Sequence, residues 1–167
     1  EGAKDGINLQ KHIKLMLAVD KMRKKQHKAA LDKIEEAKLW PRNLGVGKPY
    51  DEVIDTRLED WLSFVAAELG GLKGQREHFL QRLVGSNVNT PEYLLLQSAA
   101  WHIAGDETKA RKLADGWFAA QKDETAHRNG KEFLEVVGRG EYASDTALDF
   151  YKPLIQTLTA KADNRLF

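Results

Sequence analysis

The chain has 167 residues, of which 42% are hydrophobic and 31% charged, a composition that supports one folded domain and excludes a disordered chain. Lys and Arg total 26 against 25 Asp and Glu, so the basic excess expected of a nucleic-acid binder is missing. There is no cysteine, which removes disulfides, thiolate metal sites and cysteine nucleophiles together, and no apolar run approaches the ~20 residues that span a bilayer.

Helical spacing runs through the sequence. Leu9, Ile13, Leu15, Met16, Leu17 and Val19 give residues 7–24 a wide apolar helical face. The dense basic run Lys21, Arg23, Lys24, Lys25 and Lys28 lies at the end of that helix, where cations suit the macrodipole. A solvated helix end is the preferred reading of it, with a phosphate-binding patch as the alternative. Ala29, Ala30, Leu31, Ile34, Ala37 and Leu39 mark a second helix, which Pro41 is expected to end. The stretch from Pro41 to Asp51 reads as a loop because it holds two prolines and two glycines.

A third helix is expected over about 52–69, stopping at Gly70-Gly71, and a fourth over about 72–84, stopping at Gly85-Ser86-Asn87. Thr90-Pro91 predicts the start of a fifth, with Thr90 as N-cap. The fifth ends at Gly105. Asp106 opens a sixth helix that ends near Gln121, and Asp123 a seventh that breaks at Gly138 and Gly140. Ser144 caps an eighth over about 145–161, with Pro153 inside it. The fold class is therefore all-α, with about eight helices in antiparallel hairpins at 7–40, 52–84, 91–121 and 124–162 of a single domain covering 1–167.

Two of these segments match each other. Trp61-Leu62-Ser63 to Gly70 aligns with Leu96-Gln97-Ser98 to Gly105, so that Ser63 meets Ser98 and Gly70 meets Gly105. Ala110 follows Ser98 by the same twelve residues that separate Ala18 from Ala30, while the second hairpin has Gln75 at that place. Small residues at this spacing, with a period near ~34, resemble tetratricopeptide repeats over residues 7–121. The resemblance implies stacking into a right-handed superhelix. A generic helical bundle with coincidental small residues is the alternative.

A narrower resemblance rests on Trp40-Pro41-Arg42-Asn43-Leu44-Gly45-Val46-Gly47-Lys48-Pro49. It is similar to a "YPENLGVGKP" segment of a bacterial family with a domain of unknown function, in which an N-terminal β-sandwich region precedes tetratricopeptide-like repeats. Trp40, Arg42 and Ser63 depart from that pattern. The resemblance implies a structural loop at Asn43, Leu44, Gly45, Val46, Gly47, Lys48 and Pro49, and a chain that is the C-terminal part of a longer protein. The start at Glu1-Gly2-Ala3, without methionine, agrees with that expectation. No reaction is implied.

Tests for chemistry give little. Gly45-Val46-Gly47-Lys48 lacks the earlier glycine and the following Ser or Thr of a phosphate loop. Glu124-Thr125-Ala126-His127 is a single E-x-x-H, where a di-iron bundle needs two. No serine sits in a nucleophile elbow. Metal, cofactor and catalytic residues are accordingly expected to be none. Trp61, Trp101 and Trp117 read as packing residues.

The expected function is a protein-interaction or scaffolding module, because stacked repeats leave a curved open surface. In the usual repeat geometry that surface is lined by His12, Leu15, Val19 and Met22, by Arg57, Asp60 and Phe64, and by Glu92, Leu95, Ala99 and His102. The expected partner is a protein or peptide, such as an upstream domain of the same chain or a second copy, and neither nucleic acid nor membrane. The competing reading is an accessory helical domain of a carbohydrate-active or other enzyme whose active site lies upstream.

Overall fold

A computed structural model describes the backbone of residues 2–43 and 54–164 and the side chains of residues 9–39 and 54–156. The described residues form eight α-helices in order: α1 (Gly2–Arg23), α2 (His27–Asn43), α3 (Arg57–Leu69), α4 (Lys73–Val84), α5 (Leu94–Ile103), α6 (Glu107–Ala120), α7 (Glu124–Gly138) and α8 (Asp145–Asn164). A 3₁₀ turn, Pro91–Tyr93, leads into α5. Among the described residues there is no strand, so the all-α expectation holds.

The same turn joins the two helices of every hairpin. One residue takes a left-handed backbone: Lys25 (φ 61°), Gly71 (66°), Gly105 (96°) and Gly140 (72°). Its N–H bonds to the carbonyl three residues back, and the next N–H bonds five back, as in Gly105 to His102 and Asp106 to Trp101. Lys25 with Gln26, Gly71 with Leu72 and Gly140 with Glu141 repeat the pattern. This is the Schellman closure of a helix C-terminus. Glycine suits it because a Cβ is crowded at positive φ, and Lys25 is the exception.

The turns fix the repeat register. From Gly71 to Gly105 is 34 residues and from Gly105 to Gly140 is 35. Gly71, not Gly70, is therefore the counterpart of Gly105, and the sequence alignment shifts by one. Phe64 then stands with Ala18 and Ser98, and Arg76, not Gln75, stands with Ala30 and Ala110. Contacts agree with this frame. Ser98 Oγ donates to the Ala110 carbonyl at 2.6 Å. The Arg76 guanidinium lies 5.1 Å over the Phe64 ring. Ala18 and Ala30 are both fully buried. The middle hairpin has thus replaced a small-residue contact by an arginine on an aromatic ring.

Three hairpins, α1–α2, α3–α4 and α5–α6, stack in order, with α2 also packed on α3 and α4 on α5. The fourth pair, α7 and α8, is joined by the same turn, and its second helix also reaches the first hairpin. α8 touches α7 and has its more extensive contact along α1. Lys152 pairs with Asp20 at 2.6 Å and Arg23 with Asp149, so the two helices run in opposite directions. α7 packs against α5. Phe133 of α7 and Tyr142 of the following turn meet Trp61 of α3 at 5.4 and 6.0 Å between ring centroids. The C-terminal helices therefore cover the row formed by α1, α3 and α5. One apolar cluster runs from Leu15 in α1 to Ile155 in α8. Each large apolar side chain buried in it contributes roughly 1.5–3 kcal/mol.

Several helix ends differ from the sequence reading. α2 continues through Pro41 to Asn43, because a proline near a helix end removes only one hydrogen bond of the last turn. Positions 41–43 of the loop expected over Pro41 to Asp51 are thus helical, and the rest of it, 44–51, lies outside the described residues. Thr90 gives no cap, since its Oγ1 and carbonyl both accept from Arg57. Asp106 and Ser144 do cap, accepting from the N–H groups of Lys109 and Ala147 at 3.1 Å each.

Candidate functional site

The residues expected to line an open surface divide into three groups. Leu15, Val19, Met22, Phe64, Leu95 and Ala99 are at most 1% exposed. They belong to the chain's own core, which corrects their assignment as a partner-binding face. The physical reason is α7 and α8, which occupy the side of α1, α3 and α5 that an open array would leave bare. Ordinary repeat geometry had no place for that closure.

Arg57 and Asp60 are also buried, and both are consumed by pairing inside the fold. Arg57 opens α3. Its Nε and Nη2 hold the Asp55 carboxylate at 2.9 and 2.7 Å, and Nη1 donates to Gln97 Oε1 at 2.8 Å. Nη2 also reaches the carbonyl and hydroxyl of Thr90, at 3.0 and 2.8 Å. The guanidinium lies 5.6 Å from the Tyr93 ring. One arginine thereby ties the start of α3 to the α4–α5 connection and to α5, with its fork of donors used. Asp60, one turn on, accepts from Lys38 of α2 at 2.8 Å, from Arg82 of α4 at 3.1 Å and from Thr56 at 2.9 Å.

Glu59 between them is 1% exposed. Its partner is Lys11 of α1, with Nζ 2.5 Å from Oε2. Burial pushes this carboxyl above the usual carboxylate range. Lys11 opposes the shift without cancelling it, and Asp60 adds to it. Glu68 shows the reverse balance. Partial burial raises it, but hydrogen bonds from Arg76 at 2.6 Å and Tyr142 at 3.0 Å outweigh that and hold it below its usual range. These perturbed groups sit in helix–helix contacts, each with a structural partner, and they do not converge on one cavity.

The third group is partly exposed. His12 and Glu92 lie at the surface of α1 and of the 3₁₀ turn, and His102 Nδ1 pairs with Glu107 of the next helix. His127, from the lone E-x-x-H, directs Nε2 to the carbonyls of Phe118 and Gln121 at 3.0 and 2.5 Å. Among the described residues there is no group of three or more His, Cys, Asp or Glu placed to hold a metal, and no helix long and apolar enough to cross a membrane.

The exposed apolar surface lies elsewhere. Leu9, Ile13 and Leu17 are 59%, 43% and 41% exposed and fall four residues apart, so they form a stripe along α1. Leu39 of α2 is the other large apolar side chain exposed to this degree among the described residues. Residues Leu15, Val19 and Met22 form the opposite, buried side of α1. The sequence marked one wide apolar face on α1, which includes both stripes. It did not show which one the neighbours would cover. A second surface feature is a groove of about 510 Å³ between α2 and α4, edged by Lys28 and Lys73. Comparison of the chain with family models, with curated proteins and with solved structures gives no match.

Proposed function

We propose that the chain is a protein-interaction module that binds a partner through the outward stripe of α1 and has no catalysis of its own. The single observation that supports this most is the run Leu9, Ile13, Leu17. Three large apolar side chains in register on one helix face, open to water, are the kind of surface that a protein partner covers. The buried polar groups support the non-catalytic part. Arg57, Glu59 and Asp60 are held by partners within the fold. Stacked hairpins suit such a role, since each hairpin presents side chains from a rigid support.

The stripe is symmetric about Ile13, with Leu9 one turn before and Leu17 one turn after. An antiparallel α1 from a second copy would set Leu9 against Leu17 and Ile13 against Ile13, as an isologous contact requires. The purified chain therefore supplies its own probe partner. Sedimentation equilibrium over rising concentration should show reversible self-association. Ile13→Asp should abolish it while the circular dichroism spectrum stays unchanged. A wild-type chain that remains monomeric at every concentration, or an Ile13→Asp chain that associates equally well, would contradict the assignment of the stripe.

A further inference from the structure

The groove between α2 and α4 points to a second partner chemistry. Leu31, 9% exposed, and the partly buried Leu72 form its apolar lining, and Lys28 and Lys73 stand exposed at its edges. Lys24 and Lys25, both exposed, lie in the turn that leads into α2. The basic side chains nearby are used in pairs: Arg23 with Asp149, Arg76 with Glu68, Lys38 with Asp60. Among the described residues Lys24, Lys25, Lys28 and Lys73 have no acidic partner within ion-pair distance. Asp32 is the one carboxylate among the described residues that lines the groove.

Two residue choices here have no explanation in packing. The left-handed position of the turn is glycine in the other three hairpins, yet here it is Lys25 at φ 61°. A side chain at such a φ is strained, and removing it would relax the turn. Gly74 lies in the first turn of α4, where a Cβ would meet nothing within 4 Å. Glycine weakens a helix there without any steric need, and it leaves the backbone bare on the groove wall. The two sides of the groove are also fixed relative to each other. Gly70, just before α4, sits so close to α2 that a Cβ on it would come 3.0 Å from His27 Cβ.

We propose that this groove binds an acidic peptide segment that carries one large apolar side chain. The lysines meet its carboxylates and the Leu31–Leu72 lining takes the apolar group. A phosphate polymer would use the lysines but not the lining, and the chain's overall balance of 26 basic to 25 acidic residues gives it no general attraction for nucleic acid. This inference deepens the reading of the chain as an interaction module, at a surface separate from the α1 stripe.

Fluorescence anisotropy with synthetic peptides tests it. The probes are a labelled peptide of aspartates and glutamates around one leucine, the same peptide with alanine for leucine, and inorganic polyphosphate. The full chain should bind the leucine peptide saturably and the alanine peptide more weakly, and polyphosphate should compete poorly. Lys28→Glu with Lys73→Glu should weaken binding by about tenfold or more. Lys25→Gly should raise the melting temperature and still weaken binding, a combination that loss of fold cannot produce. Ile13→Asp should leave peptide affinity unchanged, so failure of the α1 stripe and failure of the groove are read separately. No saturable binding, equal binding of the alanine peptide, effective competition by polyphosphate, or indifference to the lysine reversals would each overturn the proposal.

Discussion

The indole of Trp117 in α6 fills the space where a side chain at position 130 of α7 would stand. A Cβ built on Gly130 comes 2.7 Å from Trp117 Cη2, inside van der Waals contact. Trp117 is 1% exposed and cannot swing into solvent without opening the core. Gly130 therefore sets how closely α7 approaches the third hairpin. Gly130→Ala should destabilise the fold by about 1–3 kcal/mol through overpacking, even though alanine is the better helix former. Thermal and urea unfolding of the variant check this. A variant as stable as the parent, or more so, would show that the ring has room to move.

The Lys11–Glu59 pair makes a second, asymmetric prediction. Glu59 is buried, and Lys11 is the cation beside it. Removing only the lysine leaves a buried carboxylate unpaired at neutral pH. Lys11→Met should cost about 3–5 kcal/mol. Glu59→Gln added to Lys11→Met should recover much of the loss, because no uncompensated charge remains. Denaturant titrations of the two single variants and the double variant measure the coupling. Additive effects would mean that the pair is not the reason Lys11 matters.

The same carboxyl gives a pH dependence with a definite sign. Glu59 titrates above its reference of 4.5 in the fold. Its contribution to stability is thus complete below that reference and is lost as pH rises through the raised folded value. Glu68, held below 4.5, works in the opposite sense, and its contribution is lost only as pH falls through the depressed folded value. Glu59→Gln removes the first dependence and leaves the second. The stability of Glu59→Gln relative to wild type should therefore be greatest at neutral pH and decline toward the reference value. A difference between the two proteins that is constant across that window would contradict the burial account of Glu59.

Much of the fold is written in local signals. Gly105 and Gly140 mark turns because only glycine takes a left-handed backbone at little cost, and Asp106 and Ser144 mark helix starts because their side chains accept early N–H groups. Thr90 carries the same start signal, and there it misleads. Arg57, thirty-three residues earlier, claims its oxygens, and helix propensity contains no record of that. The location of a binding face failed for a similar reason. Leu15 and Ile13 are both apolar residues on α1, and periodicity finds both stripes. The one that is buried is decided by α8, which returns to α1 from the far end of the chain. Pairing of Arg57, Glu59 and Asp60 is likewise long-range, so their burial could not be read from α3 alone.

The most direct test of the account uses the absence of cysteine from the chain. Ile13→Cys and Val19→Cys each introduce one thiol, the first on the outward stripe and the second in the core, since Ile13 is 43% exposed and Val19 is fully buried. Labelling with a thiol reagent under native conditions then reads both faces of the same helix. In dilute solution Ile13→Cys should react without waiting for the fold to open, and it should slow as concentration rises and a second copy covers the stripe. Cys at 19 should be protected at every concentration and react only when the fold opens. Protection of position 13 in dilute solution, or reactivity there that ignores concentration, would contradict the claim that this side of α1 is the partner-binding face.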